Sequence, residues 1–129
     1  MFEKTIRKFL IHEINTYDES QDEDLNSLNY FRRSRIHWLY LLNLMKSYYD
    51  QKPITKSDLI HKIQVSHITI LKYIKESIML DLVEEINSKK DKRKVILIPK
   101  DILINDFEDY YYEFTRDMKL LFDERQDGS

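Results

Sequence analysis

Cysteine is absent from this 129-residue chain, and glycine is nearly so, its one copy being Gly128. Without cysteine there is no disulfide scaffold and no thiolate zinc site, which agrees with a reducing compartment. Without glycine there is no P-loop and no dinucleotide-binding crevice, since both need glycines where backbone closes on phosphate. No stretch approaches the roughly 18 apolar residues that span a bilayer. The opening MFEKTIRKFL lacks the apolar run of a secretion signal. The expectation is a cytoplasmic protein with no membrane partner. Prolines are scarce too, and both, Pro53 and Pro99, fall where segments change character.

Catalytic chemistry is equally thin. No serine lies in the strand-to-helix turn that activates a hydrolase nucleophile, and no thiol exists to attack. Of the four histidines (His12, His37, His61, His67), none forms an i, i+4 pair with a carboxylate partner, as a helical zinc site requires. The chain is expected to be no enzyme and to carry neither metal nor cofactor.

What is present is a globular composition, 42% apolar, enough for one domain with a proper core. The net charge of −2 at first opposes nucleic-acid binding, but its distribution does not. Residues 61–100 hold nine Lys/Arg against five acids, +4; residues 101–129 hold three against nine, −6; residues 1–60 balance at nine each. A basic middle followed by an acidic end suits a chain that offers its centre to phosphate.

Apolar spacing of three and four predicts a helix over residues 2–17 (Phe2, Ile6, Phe9, Leu10, Ile14, Tyr17). Asp18 to Asp24 reads as a solvated acidic break, since a calcium loop would want a glycine at its middle. Residues 25–50 read as helix, interrupted near Arg32–Arg35, with Leu28, Phe31, Trp38, Leu41, Leu42, Met45 and Tyr49 inward. A short helix over 55–64 follows, opened by Thr55 or Ser57 as cap, with Leu59, Ile60 and Ile63 inward. After a tight turn at Gln64–Val65, Ser66 caps a helix reaching about Met79, with Ile68, Leu71, Ile74 and Ile78 expected on its inner side. The period then becomes extended. Leu82–Ile86 and Lys94–Ile98 read as two strands around a basic tip, Asn87–Arg93. Residues 101–124 form the last helix, its large apolar residues recurring at helical spacing.

The order of short helix, tight turn, second helix and hairpin with a basic tip is that of a winged helix-turn-helix. The fold class is therefore mainly α with a small β-hairpin, within one domain spanning 1–129: helices over 1–50, helix-turn-helix and wing over 54–99, and a terminal helix over 101–124. In such a unit the first helix braces across the DNA backbone and the second enters the major groove. Residues at its start meet base edges: Ser66, His67, Thr69 and Ile70, then Lys72 and Tyr73. Ser66 and Thr69 offer hydroxyls, and the Thr69 methyl can pack on a thymine methyl. His67 can donate to phosphate or guanine, Lys72 can reach either, and Tyr73 and Lys75 more naturally meet the backbone. Ser57, at the entry of the brace helix, joins this DNA-facing set. In the tip, Lys89, Lys90, Lys92, Arg93 and Lys94 lie within six residues; Arg93 is the choice for minor-groove insertion and Lys89 and Lys90 for phosphate neutralisation.

Ile54 to Pro99 resembles the MarR (multiple antibiotic resistance regulator) family of winged-helix proteins. Ile54-Thr55-Lys56-Ser57-Asp58-Leu59 looks like its brace-helix entry, and Val65-Ser66-His67-Ile68-Thr69 like the start of its recognition helix. Leu82-Val83-Glu84 resembles its first wing strand. Asp91-Lys92-Arg93-Lys94-Val95-Ile96-Leu97-Ile98 resembles its wing, an Asp-x-Arg followed by a strand. The resemblance implies a homodimer made by N- and C-terminal helices and a palindromic double-stranded operator. It also implies that Arg93 contacts DNA and Asp91 orients it. Asp81 stands where the family usually has glycine, and Ser77 where it usually has a core leucine, with Ile78 and Leu80 expected to take over the packing.

The aromatic terminal helix fits joint burial by two subunits. Phe2, Ile6 and Phe9 together with Leu103, Phe107, Tyr110, Phe114, Met118 and Leu121 are the expected dimer residues; the alternative is that the helix folds back on its own core. Such a dimer would hold its recognition helices about 34 Å apart, one DNA turn. The expected function is sequence-specific DNA binding as a homodimeric transcriptional regulator. The competing reading is a winged helix serving replication, partition or protein interaction, since fold does not determine function. A small-molecule effector is open, with His37, Trp38 and Tyr40 as first guesses for its pocket. Arg32, Arg33 and Arg35 could meet phosphate, hold an anionic ligand or pair with Asp18–Asp24.

Overall fold

The structure, a computed structural model, describes residues 2–19 and 26–127; the side chains of Phe2, of residues 120–122 and of 124–127 lie outside the described set. Helix α1 (Phe2–Glu19) is followed by a 3-10 turn (Ser27–Arg33), α2 (Arg35–Tyr49), α3 (Lys56–Lys62) and α4 (His67–Met79). Strands β1 (Val83–Asn87) and β2 (Val95–Pro99) then lead into α5 (Asp101–Asp127). Both strands begin and end one residue later than the expected ranges 82–86 and 94–98. Asp18 and Glu19 lie in the last turn of α1, and the rest of the acidic break falls outside the described residues.

The starts of α2, α3 and α4 each have a side-chain oxygen that accepts from an otherwise unpaired N–H group. Ser34 accepts from the His37 N–H at 3.2 Å, Thr55 from Asp58 at 3.0 Å and Ser66 from Thr69 at 3.2 Å. Asn26 does the same for the 3-10 turn, at 2.8 Å from the Leu28 N–H. With no glycine nearby, left-handed geometry falls on Gln51 (φ 58°) after α2 and Asp81 (φ 62°) after α4. Asp is among the residues that visit this region with least strain. Asp81 also pairs with Lys100 at 3.0 Å, which ties the α4–β1 turn to the start of α5.

β1 and β2 pair antiparallel in the register Val83↔Pro99 to Asn87↔Val95. The far side of β2 is met by the segment entering α3, through a Thr55↔Ile96 bridge and a Leu97 N–H bond to the Ile54 carbonyl at 3.0 Å. The wing is thereby locked to the brace helix, not only to α4.

One apolar core joins Leu28, Tyr30 and Phe31 of the 3-10 turn, Tyr40, Leu41, Leu44 and Met45 of α2, Leu59, Ile70, Ile74, Leu97 and Leu103. Two expected inward residues of α2, Leu42 and Tyr49, are exposed instead. The buried stripe there is Tyr40, Leu41, Leu44 and Met45, because α2 packs against both the 3-10 turn and β2. Ser77 is fully buried; of the two residues expected to take over the packing there, Ile78 packs half-buried against the core and Leu80 is exposed. Ser77 Oγ donates its one proton to the Ile74 carbonyl at 2.7 Å, so the Tyr40 hydroxyl must donate to Ser77 at 2.8 Å. Burial pushes the Tyr40 phenol above the ordinary tyrosine range, against the smaller opposite pull of that bond. Tyr40→Phe is expected to cost about 1 kcal/mol in urea unfolding, and Tyr40→Phe with Ser77→Ala less than the sum of the singles. Strict additivity would show that the two hydroxyls do not act together.

A second polar anchor joins the 3-10 turn to α4. The Tyr30 hydroxyl donates to the Tyr73 carbonyl at 3.0 Å, and Arg33 pairs with Glu76 at 3.8 Å. Burial and then the Glu76 charge push the Tyr30 phenol up. Arg33 also lies 5.0 Å from the centre of the Tyr30 ring. Arg32 donates to Asn29 at 2.6 Å and covers the Tyr110 ring. Both arginines therefore brace the 3-10 turn within the chain.

Candidate nucleic-acid interface

α4 is rotated relative to the expectation from its sequence. Its buried side is Ile70, Ile74 and Ser77, with Tyr73 and Ile78 half-buried. Ile68 and Leu71, expected inward, face outward at 81% and 40% exposure. The physical reason is that the Tyr40 and Tyr30 hydroxyls grip α4 from the Ser77 and Tyr73 side. Ile70, expected to meet base edges, is 0% exposed and has no surface to offer a ligand. Tyr73 is occupied as well, its ring stacked on His37 with centroids 3.7 Å apart. Lys72 and Lys75 remain exposed on the outward ridge with Ile68 and Leu71, a pattern of i, i+3, i+4 and i+7.

Ser66 and Thr69 are engaged with each other, their hydroxyl oxygens 2.7 Å apart, in addition to the cap bond. His67 is exposed at the first turn of α4. Its ring centroid lies 6.1 Å from that of His61, whose Nδ1–H donates to the Ser57 carbonyl at 2.7 Å.

These groups border a groove of about 600 Å³ in which three separate elements meet. The start of α3 contributes Lys56, Ser57 and His61, the start of α4 contributes His67, and the base of the wing contributes Arg93 and Lys94. Asp58 is the one carboxylate on its walls. Three cations and two imidazoles beside the first turn of a helix form a setting suited to an anionic backbone.

In the wing, Asp91 Oδ1 accepts from the Arg93 backbone N–H at 3.1 Å and from its Nε–H at 3.3 Å. The Arg93 side chain is otherwise 92% exposed, so the aspartate aims a guanidinium whose remaining donors face solvent. Lys89, Lys90, Lys92 and Lys94 are exposed around it. Lys56 pairs with Glu85 of β1 at 3.6 Å.

The terminal helices divide differently from expectation. Leu103 is fully buried in its own chain, and Phe107 and Tyr110 pack against the same core, with Tyr110 5.7 Å from Trp38. The first half of α5 thus folds back onto α2, and Leu103 has no surface left for a second subunit. Beyond it Tyr111, Tyr112, Phe114 and Met118 are exposed, as are Leu10, Ile11, Ile14 and Tyr17 of α1. Ile6 and Phe9 are half-buried where α1 packs along α5. Phe2 and Leu121 lie outside the described side chains.

A cleft of about 710 Å³ opens between α1, the 3-10 turn, α2 and α5. Trp38 lines it, whereas His37 and Tyr40, the other two residues guessed for a pocket, are buried elsewhere. His37 is held by Ser34 at 2.6 Å and by the Tyr73 ring. Arg35, whose partner the sequence left open, borders the cleft with Arg32 and several carboxylates.

Among the described residues no three His or acidic groups are placed to hold a metal, and no helix is long and apolar enough to cross a membrane. No protein-family model matches the sequence, and no curated protein does. Solved structures do. The Staphylococcus aureus MepR–DNA complex superposes with a TM-score of 0.65 at 16% identity, over 91% of this chain and 81% of that one. The adhesin competence repressor AdcR of Streptococcus pyogenes matches at 0.52 and 16%, over 98% and 82%. A MarR protein from Peptoclostridium difficile matches at 0.52 and 20%, over 88% and 72%. The fold is the MarR-type winged helix. Within that fold α3 and α4 form the helix-turn-helix pair and the β1–β2 hairpin the wing.

Proposed function

We propose that this chain is a homodimeric transcriptional regulator that binds double-stranded DNA, with α4 in the major groove and the wing against the flanking backbone. The observation that carries this reading is the groove in which Lys56, His61, His67, Arg93 and Lys94, from three separate segments, converge beside the exposed ridge of α4. Lys56 pairs with Glu85 and Arg93 with Asp91, but the groove walls still carry three cations against one carboxylate, Asp58. A phosphate backbone would complement that excess. The solved neighbour bound to DNA and the neighbour named a repressor support the same role for this fold.

The dimer follows from the second half of α5. Phe114, Met118, Tyr111 and Tyr112, with Leu10, Ile11, Ile14 and Tyr17, leave more large apolar side chains in water than isolated surface residues account for. A second copy of the same helices would cover them by twofold symmetry, and would pair two recognition helices for a palindromic site. A cytoplasmic protein is the setting this implies.

The test is binding to random duplex DNA across a salt series, with light scattering on the same sample. The expected result is a dimer whose affinity falls with salt, log K against log salt sloping by about −0.9 for each phosphate neutralised. A monomer with no affinity at low salt would defeat the proposal.

A further inference from the structure

The outward ridge of α4 carries aliphatic side chains at the end that borders the cationic groove. Ile68, the second helical residue, is 81% exposed, and Leu71, one turn on, is 40% exposed. Two of the hydroxyls beside them are committed elsewhere, Ser66 and Thr69 bonding one another, and the neighbouring Ile70 is buried. The exposed surface of the first two turns of α4 therefore includes two aliphatic side chains, flanked by His67 and Lys72.

Among the four base pairs, one major-groove edge bears an apolar group, the C5 methyl of thymine. The charge around the aliphatic pair commits it to DNA rather than to an apolar protein surface. Lys72 and Lys75 share its ridge, and Arg93 and Lys94 stand on the other wall of the adjoining groove. We propose that Ile68 and Leu71 read thymine methyl groups, so that this chain selects A·T pairs by apolar contact. The proposal rests on the DNA-binding reading above and deepens it. A methyl at the same ring position of cytosine would be read in the same way.

The test uses a duplex recovered from a random library by the intact chain. The same duplex is then resynthesised with deoxyuridine for thymidine, which removes the C5 methyl and nothing else. Binding is expected to weaken roughly fourfold for each methyl touched. Ile68→Ala and Leu71→Ala should bind the thymidine duplex more weakly and discriminate less between the two duplexes. Their salt slope should match the parent's, because no charge is removed. Both side chains are exposed, so the variants are expected to stay folded, which circular dichroism would check. Equal affinity of the parent for both duplexes overturns the methyl reading while leaving DNA binding in place. So does unchanged affinity and discrimination in Ile68→Ala, which would hand the aliphatic pair to a protein partner. Failure to bind any duplex at low salt overturns the DNA-binding reading and this inference with it.

Discussion

Replacing Lys89, Lys90, Lys92 and Arg93 together by alanine is expected to weaken duplex binding by about 10³-fold at physiological salt, with the fold intact. All four side chains are exposed, and the one intramolecular contact among them that the geometry shows is Arg93 with Asp91. Surface changes of this kind usually move stability by no more than about 0.5 kcal/mol. Binding is different, because each neutralised phosphate releases counterions, and losing four such contacts lowers the salt slope by up to about four. Over the interval from 1 M to roughly 0.15 M salt, that slope difference compounds to about three decades. Fluorescence anisotropy across a salt series measures both quantities at once. Binding that survives with an unchanged slope would remove the wing from the interface and leave α4 to carry it.

Phe114→Glu with Met118→Glu is expected to convert the dimer to a single chain of 15.8 kDa by light scattering. Both side chains are about half exposed, Phe114 resting on the Tyr110 ring, so within one chain each new carboxylate keeps access to water. At a subunit interface each carboxylate would be taken from water without a partner, at a cost of several kcal/mol. Affinity for a two-half-site duplex should fall about 10²- to 10⁴-fold through loss of the linked second contact, while single half-sites are affected far less. The same substitutions in Leu103 would report something else, since Leu103 is fully buried in the core and its loss would unfold the chain. A double variant that remains dimeric would move the interface off this face, with the exposed apolar residues of α1 as the next to test.

Much of the fold is legible in the residue order because the signals are local. Thr55 and Ser66 announce helix starts through hydrogen bonds that reach only three residues, whereas the Ser34 cap, inside the interrupted stretch 32–35, emerged only with the structure. The switch from helical to alternating spacing at Leu82, and the β-branched run before Pro99, mark the wing without knowledge of any partner. Asp81 in left-handed geometry follows from the need to turn between α4 and β1 in a chain with no glycine there. The Asp91–Arg93 pair is likewise two residues apart and visible as a motif. The convergence of Lys56, His61, His67 and Arg93 is not local, since it joins positions up to 37 apart through the bridge between β2 and the α3 entry.

The sequence by itself determined the element order, the caps of α3 and α4, the basic wing and the aromatic terminal helix. The tertiary structure alone decided which way α4 faces and which half of α5 stays open. Ile68, Ile70, Leu71, Tyr73, Ile74, Ile78 and Met79 place apolar groups all around α4. With Lys72, Lys75 and Glu76 interleaved among them, periodicity leaves open which apolar face turns inward. Its rotation is set by what grips it, Tyr40 at Ser77 and Tyr30 at Tyr73, and that grip buries Ile70 and turns Ile68 outward. In α5 the apolar stripe continues past the point where its own core ends, because Trp38 and its neighbours on α2 reach only as far as Tyr110. Periodicity records that a face is apolar; only packing distances settle whether the same chain is long enough to cover it.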